Sequence, residues 1–146
     1  MTDEEKIYIA YGETMHTFQL LELQFESVLV FLKLEQYENA DSLWLDLSKW
    51  RRGPLRRMID LAELPDVMTD LAVKLTYERN HFAHRFLREV VWEVQGDSEL
   101  LGQALERLAK AKNLAETLMK ILSAYTADMT EGYDWHEIQA KMNRGG

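Results

Sequence analysis

The stretch Leu75 to Glu89 reads LTYERNHFAHRFLRE, and three of its side chains, Arg79, Asn80 and His84, have types that do chemistry on charged oxygen. Imidazoles as a class titrate near neutrality, the range in which a general acid or base works best, and His84 supplies one. A guanidinium stays charged and presents a planar fork that matches phosphate or carboxylate oxygens, which suits Arg79 to stabilising developing negative charge. Asn80 is a short amide that can orient either a neighbouring imidazole or an anion.

A helix must position them. Side chains advance by about 100° per residue around a helix. One apolar stripe runs Val67, Leu71, Leu75, Phe82, Phe86, and Arg79 falls inside it. A second, on nearly the opposite side, runs Val73, Tyr77, Leu87, Val91, with Asn80 and His84 one turn apart inside it. A helix apolar on two sides is usually buried on two sides, one against its own core and the other against a partner or groove. Polar groups set into such faces need partners, since an unpaired buried donor costs about 1–3 kcal/mol. Glu22, within the apolar stripe of the first helix, is predicted to pair with Arg79 or another buried base. The plain alternative for Arg79 is therefore a core ion pair without chemistry, and such pairs are weak evidence for stability.

The run Arg79-Asn80-His81-Phe82-Ala83-His84-Arg85-Phe86 resembles the R-N-x-x-x-H signature of the HEPN superfamily, small all-helical proteins that include many metal-independent RNases of toxin–antitoxin and antiviral systems. The family pattern is an Arg, a polar residue and a His four to six residues after the Arg, late in the third helix of a four-helix bundle. Arg79, Asn80 and His84 match it. The resemblance covers about eight residues in motif and most of the chain in architecture. It implies attack by the RNA's own 2′-hydroxyl, with His84 moving the proton and Arg79 stabilising the phosphorane. The products would be a 2′,3′-cyclic phosphate and a 5′-hydroxyl. It further implies a homodimer in which two motifs form one cleft, and the second stripe of the third helix points independently to a buried partner surface. HepT toxins of this superfamily carry R-x-x-x-x-H-x-Y, whose Tyr a partner nucleotidyltransferase modifies. Phe86 stands there and has no hydroxyl, which puts that form of control, and such an antitoxin, in doubt. The region after His84 looks more like stand-alone HEPN proteins.

At 146 residues the chain suits one domain, 1–146, with one core. No uncharged apolar run approaches the roughly 18 residues of a spanning helix. The start, MTDEEK, lacks the layout of a signal peptide. With no cysteine, disulfides and thiolate metal sites are excluded. A cytoplasmic protein without membrane partners or cofactors is expected. The net charge of −8 opposes non-specific nucleic-acid binding. A local basic rim is compatible with it. Lys49, Arg51, Arg52, Arg56 and Arg57 place five positive charges in nine positions, and Arg79, Arg85 and Arg88 form a second set. These are either solvated faces or a guide for RNA, with Arg51, Arg52, Arg56, Arg57 and Arg85 as its contacts.

Thr2 and Glu5 have the spacing of a capping box. They predict a first helix over 3–36 with the stripe Ile7, Tyr11, Met15, Phe18, Leu21, Phe25, Leu29, Leu32. A turn at 38–42, capped by Asp41 or Ser42, leads to a second helix in two pieces, 43–51 (Trp44, Leu47, Trp50) and 55–64 (Leu55, Met58, Ile59, Leu61). Gly53-Pro54 interrupts it, since Pro is tolerated only in a helix's first turn. Pro65 opens a third helix over 66–93. After the turn 95–98, a fourth over 99–127 keeps a seven-residue repeat in which Leu101, Leu108, Ala115, Leu122 alternate with Ala104, Ala111, Leu118, Tyr125, the spacing of bundle packing. Gly132 stops it. Asp134 and Glu137 could cap a short C-terminal helix carrying Trp135 and Ile138, and 143–146 should fray. The fold expected is all-α, an up-and-down four-helix bundle with an interrupted second helix and a short C-terminal helix.

One rival chemistry comes from Glu13-x-x-His16 and Glu78-x-x-His81, the ligand unit of di-iron bundles. Glu13 and His16 fall opposite the apolar stripe of their helix, and His81 falls between the stripes of its own, facing solvent. No metal site is expected. Two functions follow: a metal-independent endoribonuclease used in defence or as a toxin, or a catalytically silent helical dimer that binds a protein or a nucleotide.

Overall fold

The structure, a computed structural model, describes residues 1–33, 40–52, 55–129, 131–132, 134, 136 and 140; for 40, 44 and 50–52 it describes the backbone alone. It is all-helical, with no strand among the described residues. In chain order come α1 (Asp3–Lys33), α2 (Ala40–Arg52), α3 (Leu55–Ala62) and α4 (Asp66–His81). A π-helical segment, Phe82–Phe86, then runs without a break into α5 (Leu87–Val94), and α6 (Ser98–Met129) follows. The break at Gly53-Pro54, the side chains of Trp44 and Trp50, the packing of Trp135 and Ile138, and the last residues lie outside the described set.

Local chemistry sets most boundaries. The capping box forms as its spacing predicts: the Thr2 N–H donates to Glu5 Oε2 at 2.8 Å, and the Glu5 N–H donates to Thr2 Oγ1 at 3.1 Å. α2 already includes Ala40, so Asp41 and Ser42 sit in its first turn and neither precedes it as a cap. α3 ends at Ala62, earlier than expected, because Glu63 takes a left-handed φ of 50° ahead of Leu64-Pro65. The residue before proline is itself kept out of the helical region. Pro65 then accepts the first hydrogen bond of α4 through its carbonyl, from the Thr69 N–H at 3.0 Å.

Between α5 and α6, Gly96 has a φ of 76°, a left-handed value that glycine adopts without strain. Asp97 caps α6: its Oδ1 accepts from the Glu99 and Leu100 N–H groups, each at 3.1 Å. Asp97→Ala removes both acceptors. It should cost about 1 kcal/mol in chemical denaturation, with Asp97→Asn recovering most of it.

The core forms where α1 and α6 pack along one another, with α3, α4, the π segment and α5 against them. The repeat of α6 is buried as read, from Leu101 to Leu122, with Tyr125 partly buried at its end. Thr14 and Thr17, polar in type, are also buried on α1. Thr17 donates to the Glu13 carbonyl, and the Thr14 hydroxyl lies 2.9 Å from the Ala10 carbonyl and 3.3 Å from the Leu108 carbonyl, so it touches α6 directly.

The π segment decides how the third long helix meets this core. Phe82, Phe86, Val90 and Val94 are spaced by four. On a regular helix at about 100° per residue, three such steps drift by roughly 120°. A single wide turn holds one residue more than a regular turn and takes back about 100° of that drift. Phe82, Phe86 and Val94 are accordingly all buried, with Val90 partly so. The same shift moves Val91, expected on the opposite face, to the margin of the core. Val67, placed in the inward stripe by its spacing, is 78% exposed in the first turn of α4.

Candidate functional site

Asn80, His81, His84 and Arg85 line a surface hollow of about 410 Å3 at the junction of α4 and the π segment. Two pairs four residues apart, Asn80 with His84 and His81 with Arg85, lie side by side there, as i and i+4 share a helix face. None of the described residues lining it is acidic. Arg85 is the one described lining residue with a fixed charge, a positive one on a chain whose net charge is −8.

Under the wide turn lies an aromatic floor, which is not among the described residues lining the hollow. Phe82 and Phe86 meet edge-to-face at 5.0 Å and 81°. Phe18 of α1 packs on Phe82 at 6.3 Å, and Tyr11 stacks on Phe86 at 6.3 Å and 6°. The Arg107 guanidinium of α6 sits over the Phe82 ring at 5.5 Å and pairs with Glu78 at 3.4 Å. Offset-stacked and edge-to-face contacts add orientation to area burial, and both Phe82 and Phe86 of the wide turn take part in them.

Arg79 points away from the hollow, toward α1. Its Nε lies 3.0 Å from Glu22 Oε1, and its Nη1 donates to Asn80 Oδ1 at 3.3 Å. Glu22 thus pairs with Arg79, though it is half-buried and not enclosed: the two side chains are 27% and 35% exposed. An ion pair this open contributes about 0–1 kcal/mol, so its larger effect is to fix the direction of the guanidinium. Asn80 joins the two halves of the motif, accepting from Arg79 while lining the hollow with His84.

The remaining candidates are placed unevenly. Arg85 lines the hollow and is exposed. Arg56 comes close: with Val73, Thr76, Tyr77 and Asn80 it lines a neighbouring depression of about 150 Å3, while pairing with Asp60 at 3.1 Å. Arg57 is exposed on α3. The side chains of Arg51 and Arg52 lie outside the described set. Glu13 and His16 are exposed, and Glu13 and Glu78 pair with Lys112 and Arg107. Among the described residues no three His, Asp or Glu side chains gather at one point.

His81 is the residue that spacing misplaced. Instead of facing solvent it is half-buried, edge-on to Phe82 at 6.0 Å and to Phe86 at 6.4 Å. Its Nε2 is buried with no hydrogen-bond partner. The four-residue spacing of Phe82, Phe86, Val90 and Val94 was the available signal, because it marks a turn that is not regular. No helix among the described residues is long and apolar enough to cross a membrane. Comparison with protein-family models, with curated proteins and with solved structures finds no match to the chain.

Proposed function

We propose that the chain is a metal-independent endoribonuclease of the HEPN type, a toxin or defence enzyme. In this reading α1, the interrupted α2–α3, the continuous α4–α5 helix and α6 are the four members of an up-and-down bundle. The observation that carries it is the hollow: two imidazoles (His81 and His84), the Arg85 guanidinium and the Asn80 amide line it, with no carboxylate among its described lining residues. A phosphodiester entering it meets hydrogen-bond donors and no fixed negative charge. In this reading His84 takes the proton of the 2′-hydroxyl, and Arg79, turned toward Glu22 in this structure, leaves that pair to stabilise the phosphorane, with Asn80 between the two. Arg85 of the hollow and Arg56 of the neighbouring depression would, in this reading, hold the flanking phosphates. The test is incubation of the purified protein with RNA in EDTA. Fragments ending in 2′,3′-cyclic phosphate and 5′-hydroxyl are expected, and intact RNA at micromolar protein rejects the proposal.

The reading includes a homodimer through the third-helix face. Tyr77, 73% exposed on α4, and Trp92, 79% exposed on α5, supply apolar area along that helix. Light scattering at micromolar concentration should give the mass of two chains, and a clean monomer counts against it. Control by nucleotidylation at the HepT position does not fit, since Phe86 lacks a hydroxyl and is buried against Tyr11. Any antitoxin or regulatory protein would have to act elsewhere.

One observation favours a second reading, a catalytically silent dimer that binds a protein or nucleotide. The Arg79–Glu22 pair occupies the guanidinium that catalysis needs. RNA or nucleotide bound without cleavage would support it.

A further inference from the structure

We propose that the groove between α4 and α6 holds a further phosphate of the RNA, between Lys74 and Lys110 and away from the bond that is cut; this rests on the ribonuclease reading above. Lys74, Glu78, Arg107, Lys110, Ala111 and Leu114 line a hollow of about 220 Å3 where the two helices pack. Its charged lining is three cations against one carboxylate, on a chain with 25 acidic and 17 basic residues. Glu78 is already engaged: its Oε1 lies 3.4 Å from Arg107 Nη2, and the Arg107 guanidinium sits over the Phe82 ring. Lys74 and Lys110 carry the surplus charge. Both are exposed, they come from different helices, and among the described residues neither pairs with a carboxylate. Like charges that share a hollow repel, and an anion between them turns that repulsion into attraction.

The place of the groove along α4 points to RNA as the source of that anion. Seven residues separate Lys74 from His81, a step that returns to the same helix face within about 20° and spans about 10 Å. The groove thus lies along the edge of α4 that ends at His81, a lining residue of the hollow where cleavage is proposed. A strand with one phosphodiester beside His84 brings a phosphate a few nucleotides along it to Lys74 and Lys110. Ammonium groups on flexible stems suit this task, because they hold a phosphate as point charges and read no sequence.

The test is binding of a labelled, uncleavable 2′-O-methyl RNA oligomer, followed by fluorescence anisotropy across a salt series. Lys74→Gln combined with Lys110→Gln should weaken binding about tenfold and make the salt slope shallower by about 0.7, one phosphate's share for a single strand. Lys6→Gln combined with Lys120→Gln removes the same charge outside the groove and should change binding by less than about threefold. All four lysines are exposed, so neither pair opens the core. On cleavable RNA the groove variant should raise KM and keep kcat within about twofold, since neither lysine touches the reacting atoms. Equal weakening by the two pairs, an unchanged salt slope, or a fall in kcat alone overturns the groove site and leaves the ribonuclease reading standing. A parent that binds the oligomer through the groove but cuts no RNA removes the ribonuclease and keeps the phosphate site. A parent that ignores the oligomer but binds a glutamate-rich peptide through Lys74 and Lys110 overturns the assignment to RNA, and one that binds neither overturns the site.

Discussion

Replacing His84 with alanine should lower RNA cleavage in EDTA by about 100- to 10,000-fold, the usual worth of a positioned acid or base. The melting temperature should stay within about 2 °C, because exposed substitutions usually change stability by less than about 0.5 kcal/mol. His84 is exposed and lines the hollow, so nothing in the core registers its loss. Arg79→Ala is the sharper companion. It should cost about 100- to 1,000-fold in cleavage if the guanidinium stabilises the phosphorane. It also strands Glu22, whose carboxylate lies 3.0 Å from it. Glu22→Ala separates the two effects. If the pair is structural alone, Glu22→Ala and Arg79→Ala lose similar stability and similar activity. If Arg79 is catalytic, only its own replacement abolishes cleavage. Arg79→Lys should not restore it, because an ammonium lacks the planar fork. Cleavage that survives both His84→Ala and Arg79→Ala removes the proposed chemistry.

Phe82→Ala should be among the most damaging single changes, with a loss of about 3–5 kcal/mol in chemical denaturation. The ring is fully buried and touches Phe18, Phe86 and the edge of His81, with Arg107 over its face. Removing it opens a cavity under the wide turn and leaves the Arg107 charge with Glu78 alone. Against a typical total of about 5–15 kcal/mol the loss is a large share of the whole. A loss under about 1 kcal/mol for Phe82→Ala would mean that the aromatic floor collapses to fill the gap and does not fix the site.

Much of the fold was legible because helix signals are local. The Thr2–Glu5 box, Pro65, the Gly96-Asp97 turn and the seven-residue repeat of α6 each carry their own chemistry, and each sits where the spacing placed it. The Glu22–Arg79 pair was legible for the same reason that a charge in an apolar stripe stands out. What could not be read depends on phase or on tertiary meeting. Val91 and His81 were misplaced because a constant 100° advance was assumed through a segment that does not keep it. Thr14 reaches the Leu108 carbonyl only because α6 passes at that height, which no window of sequence contains. Arg56 approaches Asn80 because α3 folds back on α4, again a matter of packing.

The extra residue in Phe82–Phe86 also bears on how this chain tolerates changes of length. Losing one codon inside an ordinary helix and losing one here are different events. Here the backbone would relax to a regular ladder with every rung intact. The rods before and after it would then be turned against each other by about a quarter of a revolution. Such a shortened chain would keep its helix content and lose the register between its two ends.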